Sequence, residues 1–351
     1  MSAAQSPRPP RNRWRQTLLL LLRLAVMGVG LGVLAGTGLR LLAPRLAEGN
    51  LPSFGQLAEA PEQQSLAMGR FQPRQEITEL SERWQQLAAA QKDLKATGFL
   101  LVLDDGRFAQ LGPDQPMPAA SSIKTPILVV ALEDLDSGKL SWNDPLQLTQ
   151  ELVGGGAGWM ATRPLGTRFP FREAATEMIR VSDNSATNLV IQKLGGQAAV
   201  NARFQTMGLS ATQLNNWLPD LDGTNTSSAR DLARSIALVD TGETLGPRAR
   251  DHFREIMASS GTDTLIPQGL LQGLGKNAEQ ADPELLSLGI TALNKTGDIG
   301  TAYADAALIQ LPNGQRAVAA FMVTGPFNDP RSAELIRGMA AAVSQTLVGR
   351  P

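Results

Sequence analysis

The 351-residue chain is long enough for one large domain with appendages, and its 42% hydrophobic and 19% charged content is that of an ordinary globular protein. It has no cysteine and a single histidine, His252, which excludes thiol catalysis, disulfides and thiolate metal sites and leaves a histidine-based triad one candidate base. Seven of the 32 basic residues precede the first acid, Glu48, and the other 25 face 33 acidic residues, a balance that argues against a phosphate-binding surface for nucleic acid.

Residues 1–16 form a polar, arginine-rich tail. From Leu18 to Leu39 the chain is apolar, broken only by Arg23, Thr37 and glycines. That length can span a bilayer, with Arg23 snorkelling towards the basic end, so residues 17–42 are expected to be a transmembrane anchor. Arg8, Arg11, Arg13 and Arg15 would keep the amino terminus cytoplasmic and send the rest across. A cleaved signal peptide ending near Val33-Leu34-Ala35 is the competing reading, and either places the remainder outside the cytoplasm. Residues 43–74 carry Pro44, Pro52, Pro61 and Pro73 without a sustained period and read as a linker.

The folded domain is expected over 75–351. Ile77, Leu80, Trp84 and Leu87 predict a helix within 75–94. Residues 98–103 and 107–111 flank Asp104-Asp105-Gly106, a hairpin signal. Helical patterns then dominate from 122 to about 239, including 172–181 and 185–194. His252 falls in 248–258, which reads as a surface helix, so its side chain is expected to be solvated. Any nucleophilic serine must then find another base. Strands return at 292–295, 304–311 and 316–323, the last two joined through Pro312-Asn313-Gly314, and 331–347 closes as a helix. The expected fold is α+β: an antiparallel sheet flanked by helices, from 75–121 and 230–351, with an all-helical lobe over 122–229.

Three short motifs carry chemistry. In Ser121-Ser122-Ile123-Lys124, residues three apart on a helix place a hydroxyl within reach of an amine, which serves as a base if burial or neighbouring charge lowers its proton affinity. Taken alone, this is also an N-cap serine followed by an exposed lysine. Ser182-Asp183-Asn184 offers a hydroxyl that could relay a proton and an amide that could hold a carbonyl, or simply a helix cap. Lys295-Thr296-Gly297 ends a predicted strand with a cation, a hydroxyl and a glycine that permits close backbone approach, suiting an anionic substrate along a strand edge.

In this order and spacing the three motifs resemble those of class A β-lactamases and penicillin-binding proteins, over roughly 75–349. Val181-Ser182-Asp183-Asn184-Ser185-Ala186-Thr187-Asn188-Leu189 and Asn294-Lys295-Thr296-Gly297 extend the likeness. The resemblance implies Ser121 as acylated nucleophile, Lys124 as its base, Ser182 as proton shuttle to the leaving nitrogen and Asn184 as a substrate-amide ligand. It makes Lys295 and Thr296, with Gly297, the carboxylate site, and the backbone N–H groups of Ser121 and Asp298 an oxyanion hole. Tyr303, the only tyrosine, follows Lys-Thr-Gly, which disfavours the branch with a Tyr-x-Asn base.

One segment departs from the family pattern. Class A enzymes carry a Trp-Glu-Pro-Glu-Leu-Asn type segment whose first Glu positions the deacylating water. Here it is Trp217-Leu218-Pro219-Asp220-Leu221-Asp222, and leucine cannot accept a proton. Asp220 or Asp222 could substitute, although carboxylates beside Pro and Gly are ordinarily turn and cap residues. Trp159, after Gly154-Gly155-Gly156-Ala157-Gly158, is a candidate wall of the substrate cleft.

The expected protein is a membrane-anchored, extracytoplasmic, monomeric serine hydrolase without metal or cofactor. It would act on β-lactam amides as a slow β-lactamase, or on peptidoglycan stem peptides as a DD-peptidase or penicillin-binding protein. A non-hydrolytic binding protein is the rival of another class.

Overall fold

The computed structural model describes residues 71–349. The basic tail, the apolar segment at 17–42 and most of the 43–74 linker lie outside the described residues. Among the described residues no helix is long and apolar enough to cross a membrane.

The chain enters through β1 (Gln75–Glu76) and α1 (Thr78–Ala89), then forms the hairpin β2 (Lys95–Val102) and β3 (Arg107–Leu111). Gly106 turns this hairpin with φ +79°, a conformation that glycine adopts without strain. The two-residue β4 (Met117–Pro118) leads through a 3₁₀ turn, Ala120–Ile123, into α2 (Lys124–Asp136). Nine consecutive residues of α2, Lys124 to Leu132, are buried, so this helix is enclosed on every side rather than striped. The segment that follows is less helical than its pattern suggests. It holds the short pair β5 (Pro145–Gln147) and β6 (Arg168–Pro170) before α3 (Phe171–Arg180), α4 (Asn184–Lys193) and α5 (Gln197–Thr206). Next come β7 (Thr226–Ser227), α6 (Ala229–Asp240), α7 (Pro247–Ala258), α8 (Ile266–Gly273) and α9 (Ala281–Ser287). The strands β8 (Thr291–Asp298), β9 (Ala302–Gln310) and β10 (Arg316–Thr324) precede the closing helix α10 (Pro330–Leu347).

Six strands form one sheet in the order β1-β3-β2-β10-β9-β8, joining early and late strands. The expectation of an antiparallel sheet needs one correction: β1 pairs parallel with β3, Gln75 opposite Arg107, so the sheet is mixed. Two residues of edge pairing ahead of α1 leave no periodicity to read. The inner strand β10 is buried from Ala317 to Val323, because both faces of the sheet are covered. On one face Trp84 of α1, Ile336 and Met339 of α10 and Leu270 of α8 pack on Leu100, Ala319 and Phe321. On the other Phe99, Leu101, Val318 and Ala320 meet α6 and the helical segment, including Ile127, Met178, Leu189 and Ile236. β8 lies at one edge of the sheet, and its last residues run alongside the turn that carries Ser121.

Candidate active site

Ser121 sits on the 3₁₀ turn immediately after Ala120, whose φ is +46°. A non-glycine residue there costs of order 1–3 kcal/mol and persists only where its surroundings impose it. The surroundings are specific. Ala119 N donates to Asn225 O at 2.9 Å, and both Ser122 N (3.1 Å) and Ser122 Oγ (2.6 Å) donate to Ala119 O. From the other side β8 presses in at Gly297, where a Cβ would stand 2.8 Å from Ser121 N and 2.7 Å from Ser122 N. Only glycine allows the edge strand this close to the backbone of Ser121, and the next residue, Asp298, lines the same cleft as Ser121.

Lys124 is fully buried one helical turn on. Its ammonium donates to Ser182 O (2.7 Å), Ser182 Oγ (3.0 Å) and Asn184 Oδ1 (2.8 Å), which accounts for its three protons. These bonds link it to the Ser-Asp-Asn segment and not directly to Ser121. Burial, followed by the charge of Lys295, holds its pKa well below the usual lysine value, while the charge of Asp183 opposes. An amine that loses its proton easily, three residues from a serine, is the arrangement a serine nucleophile needs when no histidine is at hand.

Ser182, like Ala120, has positive φ, +58°. The next residue, Asp183, is the anchor of the segment: it caps α4 by accepting from Ala186 N (2.8 Å) and also accepts from Trp159 N (2.6 Å) and Met160 N (2.8 Å). Asn184 then presents Oδ1 to Lys124 and Nδ2 to Gly155 O at 2.8 Å. The glycine-rich run is packed against these groups. A Cβ on Gly158 would lie 2.2 Å from Asp183 Cγ, and one on Gly154 2.5 Å from Leu218 O.

Ser121, Asn184 and Asp298 line one cleft of ≈ 220 Å³ with Ala120, Gly156, Ala157, Leu218, Pro219, Asp220, Leu221 and Ile299. Lys295 and Thr296 lie just before Gly297 on β8, outside that lining. Lys295 is buried and donates to Thr296 O at 2.8 Å, and burial lowers its pKa to about 8 against the pull of Asp305. Trp159 is not among the residues lining that cleft: its indole N–H donates to Glu177 Oε2 at 2.8 Å and its ring stands edge-on to Phe169, while its backbone N–H is held by Asp183 of the Ser-Asp-Asn segment. His252 packs edge-on to Trp142 and bonds Glu255 at 3.3 Å, lining a different cavity with Asp136 and Arg248. Among the described residues no cluster of three or more His, Asp or Glu could hold a metal ion.

Leu218 is buried and forms part of the cleft wall. Asp220 also reaches the lining, but Thr224 Oγ1 donates to its Oδ1 at 2.9 Å and Asn225 N to its Oδ2 at 2.6 Å. It closes the turn that returns the chain to β7. Asp222 is exposed and outside the lining.

The sequence profile of the β-lactamase enzyme family matches residues 79–347. The chain belongs to that family. A β-lactamase of Streptomyces albus G is 31% identical over 156 residues, 41% of this chain and 50% of that protein. The chain thus spans about half the length of the first curated relatives it matches. The solved structure of PBP-A is similar with a TM-score of 0.73 at 41% identity, over 80% of this chain and 99% of that one. A penicillin G acyl-enzyme complex of a leucine-to-glutamate mutant of PBP-A is similar with a TM-score of 0.72 at 41% identity, over 79% and 98%.

Within this β-lactamase-family fold, two site elements escaped the sequence reading. Asn188, one turn after Asn184 on α4, brackets the backbone of Leu218. Asp305, directly opposite Thr296 in the sheet, is fully buried beneath the Lys-Thr-Gly strand and accepts from Ile266 N (2.8 Å) and Asn294 Nδ2 (3.0 Å). The signal for Asn188 was its i, i+4 spacing from Asn184. A lone aspartate in the apolar run of β9 was the signal for Asp305.

Proposed function

We propose that the chain is a penicillin-binding-type serine acyl-transfer enzyme: Ser121 attacks a β-lactam or D-alanyl peptide amide, and the resulting ester is long-lived. Lys124 takes the Ser121 proton and Ser182, hydrogen-bonded to Lys124, passes a proton to the leaving nitrogen. The backbone N–H groups of Ser121 and Asp298 receive the oxyanion, Asn184 the substrate amide and Lys295 with Thr296 the substrate carboxylate. The observation that carries the reading is Leu218, a buried hydrocarbon in the cleft wall, with the adjacent carboxylate of Asp220 already bound to Thr224 and Asn225. Acylation has its base, whereas water activation does not. The likeness to PBP-A supports the same reading. The apolar, arginine-flanked stretch at 18–39 supports a membrane anchor with the catalytic domain outside the cytoplasm.

A second reading, β-lactamase turnover, is favoured by the presence of Asp220 in the cleft lining, should its turn bonds yield in the acyl-enzyme. Incubation with a fluorescent penicillin followed by denaturing electrophoresis distinguishes the two. Label that persists for hours on Ser121 and is absent from Ser121→Ala supports the proposal; label lost within seconds supports the β-lactamase; no label refutes both.

A further inference from the structure

The connection between α7 and α8 is tied to both sides of the site. Gly261 N donates to Arg180 O at 3.1 Å, two residues before Ser182. Asn294 Nδ2 donates to Thr262 O at 3.0 Å, and Ile266 N donates to Asp305 Oδ2 at 2.8 Å. The connection therefore touches both walls: the Ser-Asp-Asn side through Arg180 and the β8 side through Asn294 and Asp305. What this anchoring delivers is one hydroxyl. Thr262 is exposed, and its Oγ1 lies 3.0 Å from Thr296 Oγ1.

We infer that Thr262 is a further substrate-binding residue, a second hydroxyl donor beside Thr296 for the carboxylate of the substrate. The inference rests on the acyl-transfer reading above and deepens it. Two hydroxyls at this distance share one hydrogen between them. A carboxylate that accepts from both replaces that single neutral bond with two charge-assisted ones, which are shorter and roughly twice as strong. Ser260 Oγ, 3.3 Å from Thr262 Oγ1, can donate into the Thr262 oxygen and leave its hydrogen for the anion. No guanidinium is hydrogen-bonded to Thr262, Thr296 or Lys295 among the described residues.

Asp305 is the positioning residue behind this arrangement. Both its oxygens lie 3.0 Å from Asn294 Nδ2, the same nitrogen that holds Thr262 O. It touches no substrate.

The test uses the full-length chain and compares second-order acylation by benzylpenicillin with acylation by its methyl ester, which keeps the reactive amide and lacks the carboxylate charge. Thr262→Val, nearly isosteric, should lower the benzylpenicillin rate about 10-fold, the loss of one hydrogen bond to a charged group, and leave the methyl ester rate within about 2-fold. Thr262→Ser should keep the wild-type rate on both. Equal losses on both substrates, or none on benzylpenicillin, would overturn the assignment while leaving the acyl-transfer reading intact. A wild type that neither substrate acylates overturns the reading and, with it, the assignment.

Discussion

Asn188 holds Leu218 by both ends of its amide: Nδ2 donates to Leu218 O at 2.7 Å and Oδ1 accepts from Leu218 N at 2.9 Å. The pair is buried and fixes the backbone of the cleft wall whatever side chain that backbone carries. Asn188→Ala leaves a buried N–H and C=O without these partners, at a cost of about 1–3 kcal/mol for such a group. Thermal unfolding should show a clearly lower Tm. An unchanged Tm would mean that the loop is held mainly by Asp220 and Asn225.

Lys124, not His252, should set the reactivity of Ser121. His252 lies in a separate cavity against Trp142, and no hydrogen bond joins it to the site. Lys124→Ala should slow acylation at least as much as loss of a general base, about 10²–10⁴-fold. His252→Ala should acylate at the wild-type rate. A comparable loss in both variants, measured by stopped-flow acylation, would remove the lysine from its role.

Substrate capture should weaken in alkali. Burial brings the Lys295 pKa down from 10.5 to about 8, so its ammonium is present below about pH 8 and lost as pH rises through it. The acylation rate with a carboxylate-bearing penicillin should therefore fall on the alkaline side of about pH 8, and the methyl ester should not show that limb. For stability the sign is opposite. Between about pH 8 and 10.5 the native state binds fewer protons than the unfolded chain, so this group favours folding increasingly as pH rises across that window.

The apolar segment predicts topology. An alkaline phosphatase fused after Pro44 should be active and a reporter that works only in the cytoplasm should not; the reverse result would refute the anchor.

How far the site was legible depended on the distance over which its parts act. Ser121 with Lys124, Ser182 with Asn184, and Lys295 with Gly297 are local pairs on a turn, a cap and a strand, and short motifs record such pairs. The helix 331–347 and the hairpin about Gly106 were equally visible from spacing and turn chemistry. What depended on distant packing was not. Helix α8 carries Gly269 and Gly273, which lower helix propensity, yet a Cβ on them would lie 2.4 Å from Arg337 O and 2.1 Å from Ser344 Oγ. Those glycines let α8 cross α10 closely, and their reason lies about seventy residues away. The indole partner of Trp159, Glu177 on α3, was not legible for the same kind of reason. Thr262 belongs to no motif, because its neighbour in space is Thr296.

On the proposed acyl-transfer reading, Leu218 decides whether the Ser121 ester is an intermediate or an end point. Leu218→Glu puts a carboxylate into the cleft wall without disturbing its clamp, since Asn188 binds residue 218 through its backbone and not its side chain. A positioned general base is worth about 10²–10⁴-fold in the step it serves, which bounds the gain in deacylation. The rescue should be partial. The position is buried, so the new carboxyl pays desolvation and its pKa rises, and the short return to β7 through Asp220 and Asn225 gives the loop little room to align it. Pre-steady-state kinetics with a chromogenic cephalosporin should show a burst and a slow phase in the wild type, and a faster slow phase in the variant. The opposing outcome is specific. Steady wild-type turnover without a burst, abolished by Asp220→Asn, would mean that Asp220 leaves Thr224 and Asn225 to activate water, and that Leu218 is not what limits this enzyme.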